Sequence, residues 1–290
     1  MSDANLKIDT NLEALFQEVL ARALSDQLRF PSLPDVAMSV RAAISDDSTT
    51  CDSLKAIIAK DPALTAYLLK AASSPLYRRA VPPKTLSDVV GLLGFAATNN
   101  LVMIHSTSKL VELKTPVAKE LFSQTWERLI VKTGVASFLA QHLKYRPIEQ
   151  VQLAMLLTEV GSLSVLSAML ETSETPDADI YFQMCRQYSK RLGAAVLTQW
   201  GIDQTIINLV RDCGKWDVTW CDELNLLDIA NLSLYITVQL TANNPSLPDI
   251  ESLAAFEKIP ESLRGCSKPN QLDLITDDKE EIQTIISAFR

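Results

Sequence analysis

Histidine is the scarcest of the reactive side chains in this 290-residue sequence, with only His105 and His142. Eight glycines are spread along the chain and form no phosphate-cradling loop. Gly161-Ser162 lacks the second glycine of a nucleophile elbow. The five cysteines, Cys51, Cys185, Cys213, Cys221 and Cys266, are odd in number and contain no CxxC pair. That argues against a disulfide framework and a zinc ribbon, and for small buried hydrophobes in a reducing compartment. Alternating apolar-polar runs between turn dipeptides are missing, so no sheet is expected. No repeat of fixed period is present, which speaks against a solenoid.

Positive charge is also in deficit. Lys and Arg total 27 against 35 Asp and Glu, a formal net charge of -8. That balance repels nucleic acid and anionic membrane over long range. Two short basic clusters, Arg78-Arg79 with Lys84 and Arg186 with Lys190-Arg191, have only Tyr77 and Tyr188 as stacking aromatics. They read as solvated helix faces, and neither a nucleic-acid nor a membrane partner is expected. The first dozen residues are polar, with no basic and apolar succession of a secretory signal. Val151 to Leu170 is about the length of a membrane span. It carries Gln152, Thr158, Glu159, Gly161 and three serines, so a buried hairpin of a cytoplasmic protein is the better reading.

What remains is a helical chain. Hydrophobic residues make up 47% and charged residues 21%, enough apolar material for a sizeable core. Helix starts are marked repeatedly: Ser32 with Asp35, Thr49 with Asp52, and Thr85 with Asp88 have capping-box spacing. Asp61-Pro62 and Thr115-Pro116 supply a cap and a proline at the first helical position. Pro147 restarts the chain, and Gly161 marks a break inside the apolar stretch. Later helices are expected from Ala178 to Gln199, Gln204 to Asp212, Asp222 to Leu240, and Asp278 onward. The four tryptophans, Trp126, Trp200, Trp216 and Trp220, read as core anchors rather than a ligand cage.

Several spaced elements then occur in an order that is similar to one family. These are Pro31-Ser32-Leu33-Pro34, then Ile57 to Thr65, then Leu68 to Tyr77, then Leu86 to Gly94 followed by Asn100-Leu101-Val102. This run resembles the N-terminal half of the HDOD family, regulatory relatives of the HD metal phosphohydrolases. The stretch from Phe122 to Trp200 resembles the degenerate HD half, and the likeness covers roughly Phe30 to Trp216. The resemblance implies an all-α, multi-helix bundle in two closely packed lobes, the second a degenerate HD bundle. On that reading residues 1–25 form a helical extension and 26–225 the domain, with lobes of about 26–114 and 115–225. Residues 226–290 then form a C-terminal helical extension packed on it.

The resemblance also locates the vestigial cleft. Glu127 stands where the parent enzymes carry a ligand histidine, and Thr158-Glu159 replaces their His-Asp pair. Ser189 lies in a stretch that a histidine often occupies, and Asp212 falls near the terminal histidine pair. Phosphoester hydrolysis of this type needs imidazoles and carboxylates to hold borderline ions that activate water. Neither His105 nor His142 matches a ligand position. His105 reads as a core or rim residue, and His142 as a cation at a helix end. Glu159 reads as a partly buried carboxylate with a basic partner, for which Arg41, Lys70 and Arg128 are candidates.

The expectation is therefore a non-catalytic bacterial signal-transduction module with no metal and no cofactor, acting on other signalling proteins. Homo-oligomerisation stays open. The alternatives are a residual metal-dependent phosphohydrolase, or a sensor holding a small anion or nucleotide in the vestigial cleft. Ser73, Tyr77, Arg78 and Arg79 are nominated for partner binding. They stand in a loop with one aromatic and two guanidiniums, a composition common in interface hot spots.

Overall fold

The computed structural model describes residues 34–74, 77, 83, 85–109, 111, 113, 115–171, 177–241, 246–287 and 289. Among these residues the regular structure is helical, with one isolated antiparallel bridge between Lys268 and Gln271. The first helices are α1 (Asp35–Ile44), α2 (Cys51–Ile58), α3 (Pro62–Ala72) and α4 (Leu86–Ser108). The longest is α5 (Pro116–His142), followed by α6 (Ile148–Leu157), α7 (Val160–Glu171), α8 (Ala178–Gln199) and α9 (Gln204–Asp212). The chain ends with α10 (Leu226–Thr241), three short 3-10 turns, α11 (Asp273–Asp277) and α12 (Lys279–Ser287).

Local chemistry explains most of these starts. Asp61 accepts hydrogen bonds from the amides of Ala63 (2.9 Å) and Leu64 (3.0 Å), with Pro62 in the first turn. Thr85 and Asp88 cap reciprocally: the Thr85 amide donates to the Asp88 carboxylate (2.8 Å), and the Asp88 amide donates to Thr85 Oγ1 (3.1 Å). Thr115 Oγ1 accepts from the Ala118 amide at 3.1 Å.

Three expected boundaries move. The box expected at Thr49 and Asp52 forms one residue later, between Thr50 and Ser53. Thr49 is already committed, donating through Oγ1 to the Ala43 carbonyl at 2.5 Å, while Asp52 accepts from the Ser87 hydroxyl. The last long helix begins at Leu226 rather than Asp222, because Asn225 is its cap: its Oδ1 accepts from the Leu227 amide at 3.0 Å. The break in the apolar stretch falls at Thr158-Glu159, and Gly161 lies inside α7. Ser32 lies outside the described residues, and α1 starts behind Pro34 with no side-chain cap.

The described residues divide into two compact units. One comprises 108–126 and 157–211; the other comprises 34–107, 127–156 and 212–290. The first unit is centred on α7 against α8, with Leu163, Leu166, Tyr181, Leu192 and Leu197 buried. The second buries Val40, Leu54, Leu68 and Leu101 from the early helices. From the later ones it buries Phe138, Leu227, Tyr235 and Ile286. Gly94 takes a positive φ of 75° and kinks α4.

Two stretches, Leu86–Ser108 and Ile148–Leu170, are long and apolar enough to cross a membrane. Most of the second is buried among other protein side chains.

Candidate functional site

Glu159 is the one charged residue of the expected cleft that is buried, at 7% exposure. The turn Thr158-Glu159 places it one residue before α7. One turn into that helix, Ser162 donates its hydroxyl to Glu159 Oε2 at 2.8 Å. The Ser162 carbonyl accepts from the Tyr181 hydroxyl at 3.4 Å, and that hydroxyl also pairs with Thr125 Oγ1 at 2.7 Å. Thr125, Ser162 and Tyr181 are all buried. Two hydrogen-bonded pairs, Thr125 with Tyr181 and Ser162 with Glu159, are therefore joined in the first unit through the Ser162 backbone carbonyl. Burial, and next the Cys185 thiol, push the Tyr181 phenol far above its ordinary value, so it stays neutral.

Gly161 holds this arrangement at close quarters. A Cβ there would overlap the Ser189 carbonyl, and one on Gly193 would lie 3.2 Å from the Gly161 amide nitrogen. Bare backbone is what lets α7 and α8 approach there. Thr158, Glu159 and Ser189 thus belong to the same unit, with Ser189 half-exposed beside the Gly161 backbone.

Glu127 and Asp212 belong to the second unit. Glu127 is exposed on α5. Asp212 is engaged, accepting from Lys215 Nζ at 2.8 Å and from Trp220 Nε1 at 3.0 Å. Among the described residues no three His, Cys, Asp or Glu side chains are grouped to share a metal ion. The donor types at the five expected positions are one threonine, one serine and three carboxylates. Without an imidazole that set does not fit a borderline divalent ion.

A second polar cluster was not foreseen. Asp228 is fully buried, and Lys258 from the second 3-10 turn donates to its two oxygens at 3.1 and 2.9 Å. The same ammonium donates to the Cys221 carbonyl at 2.6 Å and to Thr219 Oγ1. The Asn225 amide completes the carboxylate at 2.8 Å. Desolvation raises the Asp228 pKa, while Lys258 and the Asn225 amide pull against it. The sequence signal for it is Asn225 three residues before Asp228, a capping spacing.

Of the residues nominated for partner binding, Ser73 is exposed and Tyr77 half-buried, while Arg78 and Arg79 lie outside the described residues. Burial, then the nearby Glu149 carboxylate, push the Tyr77 phenol up to about 12. Neither histidine belongs to a group of three metal-ligating side chains among the described residues. His105 packs its ring against Tyr67, centroids 5.2 Å apart. His142 ends α5 with a ring nitrogen 3.1 Å from the Phe138 carbonyl and Nε2 3.9 Å from Glu281. Trp200 is a buried anchor, whereas Trp126, Trp216 and Trp220 are half-exposed. Cys185 and Cys213 are buried as expected; Cys221 is exposed.

The profile of the HDOD domain matches residues 30–213. Three solved structures share the fold. A protein of Shewanella amazonensis SB2B, provisionally named a metal-dependent phosphohydrolase, superposes with a TM-score of 0.75 at 21% identity, covering 97% of this chain and 100% of that one. An HDOD domain protein of unknown function from Geobacter sulfurreducens gives 0.65 at 16% identity, covering 97% and 98%. A protein of Marinobacter aquaeolei VT8, provisionally named for signal transduction, gives 0.62 at 18%, covering 97% of this chain and 66% of that one. No protein of curated function matches the sequence.

Proposed function

Because the chain belongs to the HDOD domain family, we propose that this HD-related regulatory module is non-catalytic and works by binding other signalling proteins in the cytoplasm. The observation that carries the reading is the chemistry at the expected ligand positions: Glu159 takes a serine hydroxyl, Asp212 takes a lysine and an indole, and no imidazole is present. A serine hydroxyl, a lysine ammonium and an indole N–H orient these carboxylates, and none of the three supplies a Lewis acid.

Partner binding is assigned to the surface at Ser73 and Tyr77, together with Arg78 and Arg79. A tyrosine that is partly anchored and partly open presents area at low entropic cost.

The test is elemental analysis of untagged protein alongside phosphodiester and phosphomonoester assays in added manganese, iron or zinc. Less than about a tenth of an ion per chain, with no turnover, is expected. Near-stoichiometric metal, or turnover that disappears in Glu159→Gln, would overturn the reading and favour a residual phosphohydrolase.

A further inference from the structure

The C-terminal part of the second unit contains a groove to which the proposed function gives no role. It is lined by Ile236 and Leu240 of α10, by Leu272 and Ile275 of the α11 segment, and by Gln271 and Lys279. Its volume of ≈ 150 Å³ is smaller than that of drug-sized sites, roughly 300–1,000 Å³, and is about that of a cavity that accepts one benzene ring. All of it lies beyond residue 213, where the family match ends.

The lining decides the chemistry. Two of its polar side chains are already used by the fold: Gln239 Nε2 donates to the Asn270 carbonyl at 2.7 Å, and Thr276 Oγ1 donates to the Asp273 carbonyl at 2.9 Å. Gln271 and Lys279 have no side-chain partner among the described residues, and both can donate. Asp277, Asp278 and Glu280 flank Lys279 in sequence, yet no carboxylate lines the groove. Lys279 also opens α12, where the helix dipole favours an anion. Leu240, 53% exposed, leaves apolar surface at the mouth.

We infer that this groove binds a small anionic amphiphile, an apolar body of about one ring or a short alkyl chain bearing a carboxylate or phosphate that Lys279 receives. The ligand is taken from solution rather than from a bilayer, since a space of ≈ 150 Å³ holds about one ring or a short alkyl chain and not a lipid.

Calorimetric titration of the full chain with octanoate tests this, with octylammonium as the counter-probe. Saturable one-to-one octanoate binding is expected, weakened at least tenfold in Lys279→Glu and preserved in Lys279→Arg. Leu240→Asp, a change at an exposed position, should weaken octanoate to a similar degree without altering the far-UV spectrum. The inference is overturned by absence of saturable octanoate binding, by octylammonium binding as tightly, or by affinity indifferent to Lys279→Glu. Sedimentation of the protein with phosphatidylglycerol vesicles, lost in Lys279→Glu, would overturn the soluble source.

Discussion

Tyr77 carries a consequence at the scale of a single residue. Its phenol is pushed up from 10 to about 12 by burial first and by the Glu149 carboxylate second. A raised phenol pKa means that the fold prefers the neutral form. The unfolded chain loses its proton first as pH rises past about 10, so the contribution is fully present below that and is lost by about 12. Tyr77→Phe should therefore shrink the loss of stability between about pH 9 and about pH 11, measured by urea unfolding at both. Tyr67, raised by its own burial, keeps part of that loss in the variant. Equal losses in the two proteins would show that the Tyr77 hydroxyl does not feel the interior. The same anchoring bears on partner binding, since the nominated Tyr77 is partly withdrawn into the second unit.

At the scale of elements, the Asp228–Lys258 pair ties the second 3-10 turn, Phe256–Lys258, to the start of α10. The raised Asp228 pKa shows that the cost of burial exceeds what Lys258 and the Asn225 amide return. A pair in that balance stabilises little as a pair, yet breaking it strands a buried charge. Lys258→Met and Asp228→Asn are each expected to cost about 3–5 kcal/mol, and the double variant far less than their sum. Denaturant unfolding of the four proteins measures this; additivity would mean that the two groups do not interact.

Much at this scale was legible beforehand, because caps act within three or four residues: Asp61, Thr85 with Asp88, and Thr115 mark their helices as the spacing predicts. What was misplaced depended on distant partners. Thr49 is taken by the Ala43 carbonyl, and the loop before α10 is organised by Lys258, more than thirty residues away. Gly161 in sequence predicts a helix break, whereas its backbone meets that of Ser189 across α7 and α8. In the candidate site, Glu159 stood out as a charge inside an apolar run. Tyr181 and Thr125 did not, since nothing in sequence relates residues 56 positions apart.

At the scale of the molecule, the family match ends at residue 213, but the second compact unit continues to the end of the chain. Its later stretch is built into the interior of that unit. A Cβ on Gly134 of α5 would collide with Ile286 of α12, so the two helices meet at bare backbone. Asn231 of α10 accepts from the Gly214 amide at 2.7 Å and donates to the Lys215 carbonyl at 3.1 Å, closing the loop after α9. Ser233 reaches Met155 Sδ at 3.5 Å, and Leu227, Ile229, Leu232 and Tyr235 are fully buried. Burial of a large apolar side chain contributes about 1.5–3 kcal/mol, while whole domains are stable by only about 5–15 kcal/mol. Deleting residues 226–290 therefore removes more than the remaining unit can spare. The truncated chain should keep much of its far-UV helical signal but lose near-UV ellipticity and a cooperative thermal transition. If residues 1–225 melted sharply near the midpoint of the full chain, the C-terminal helices would be a dispensable addition rather than part of one core.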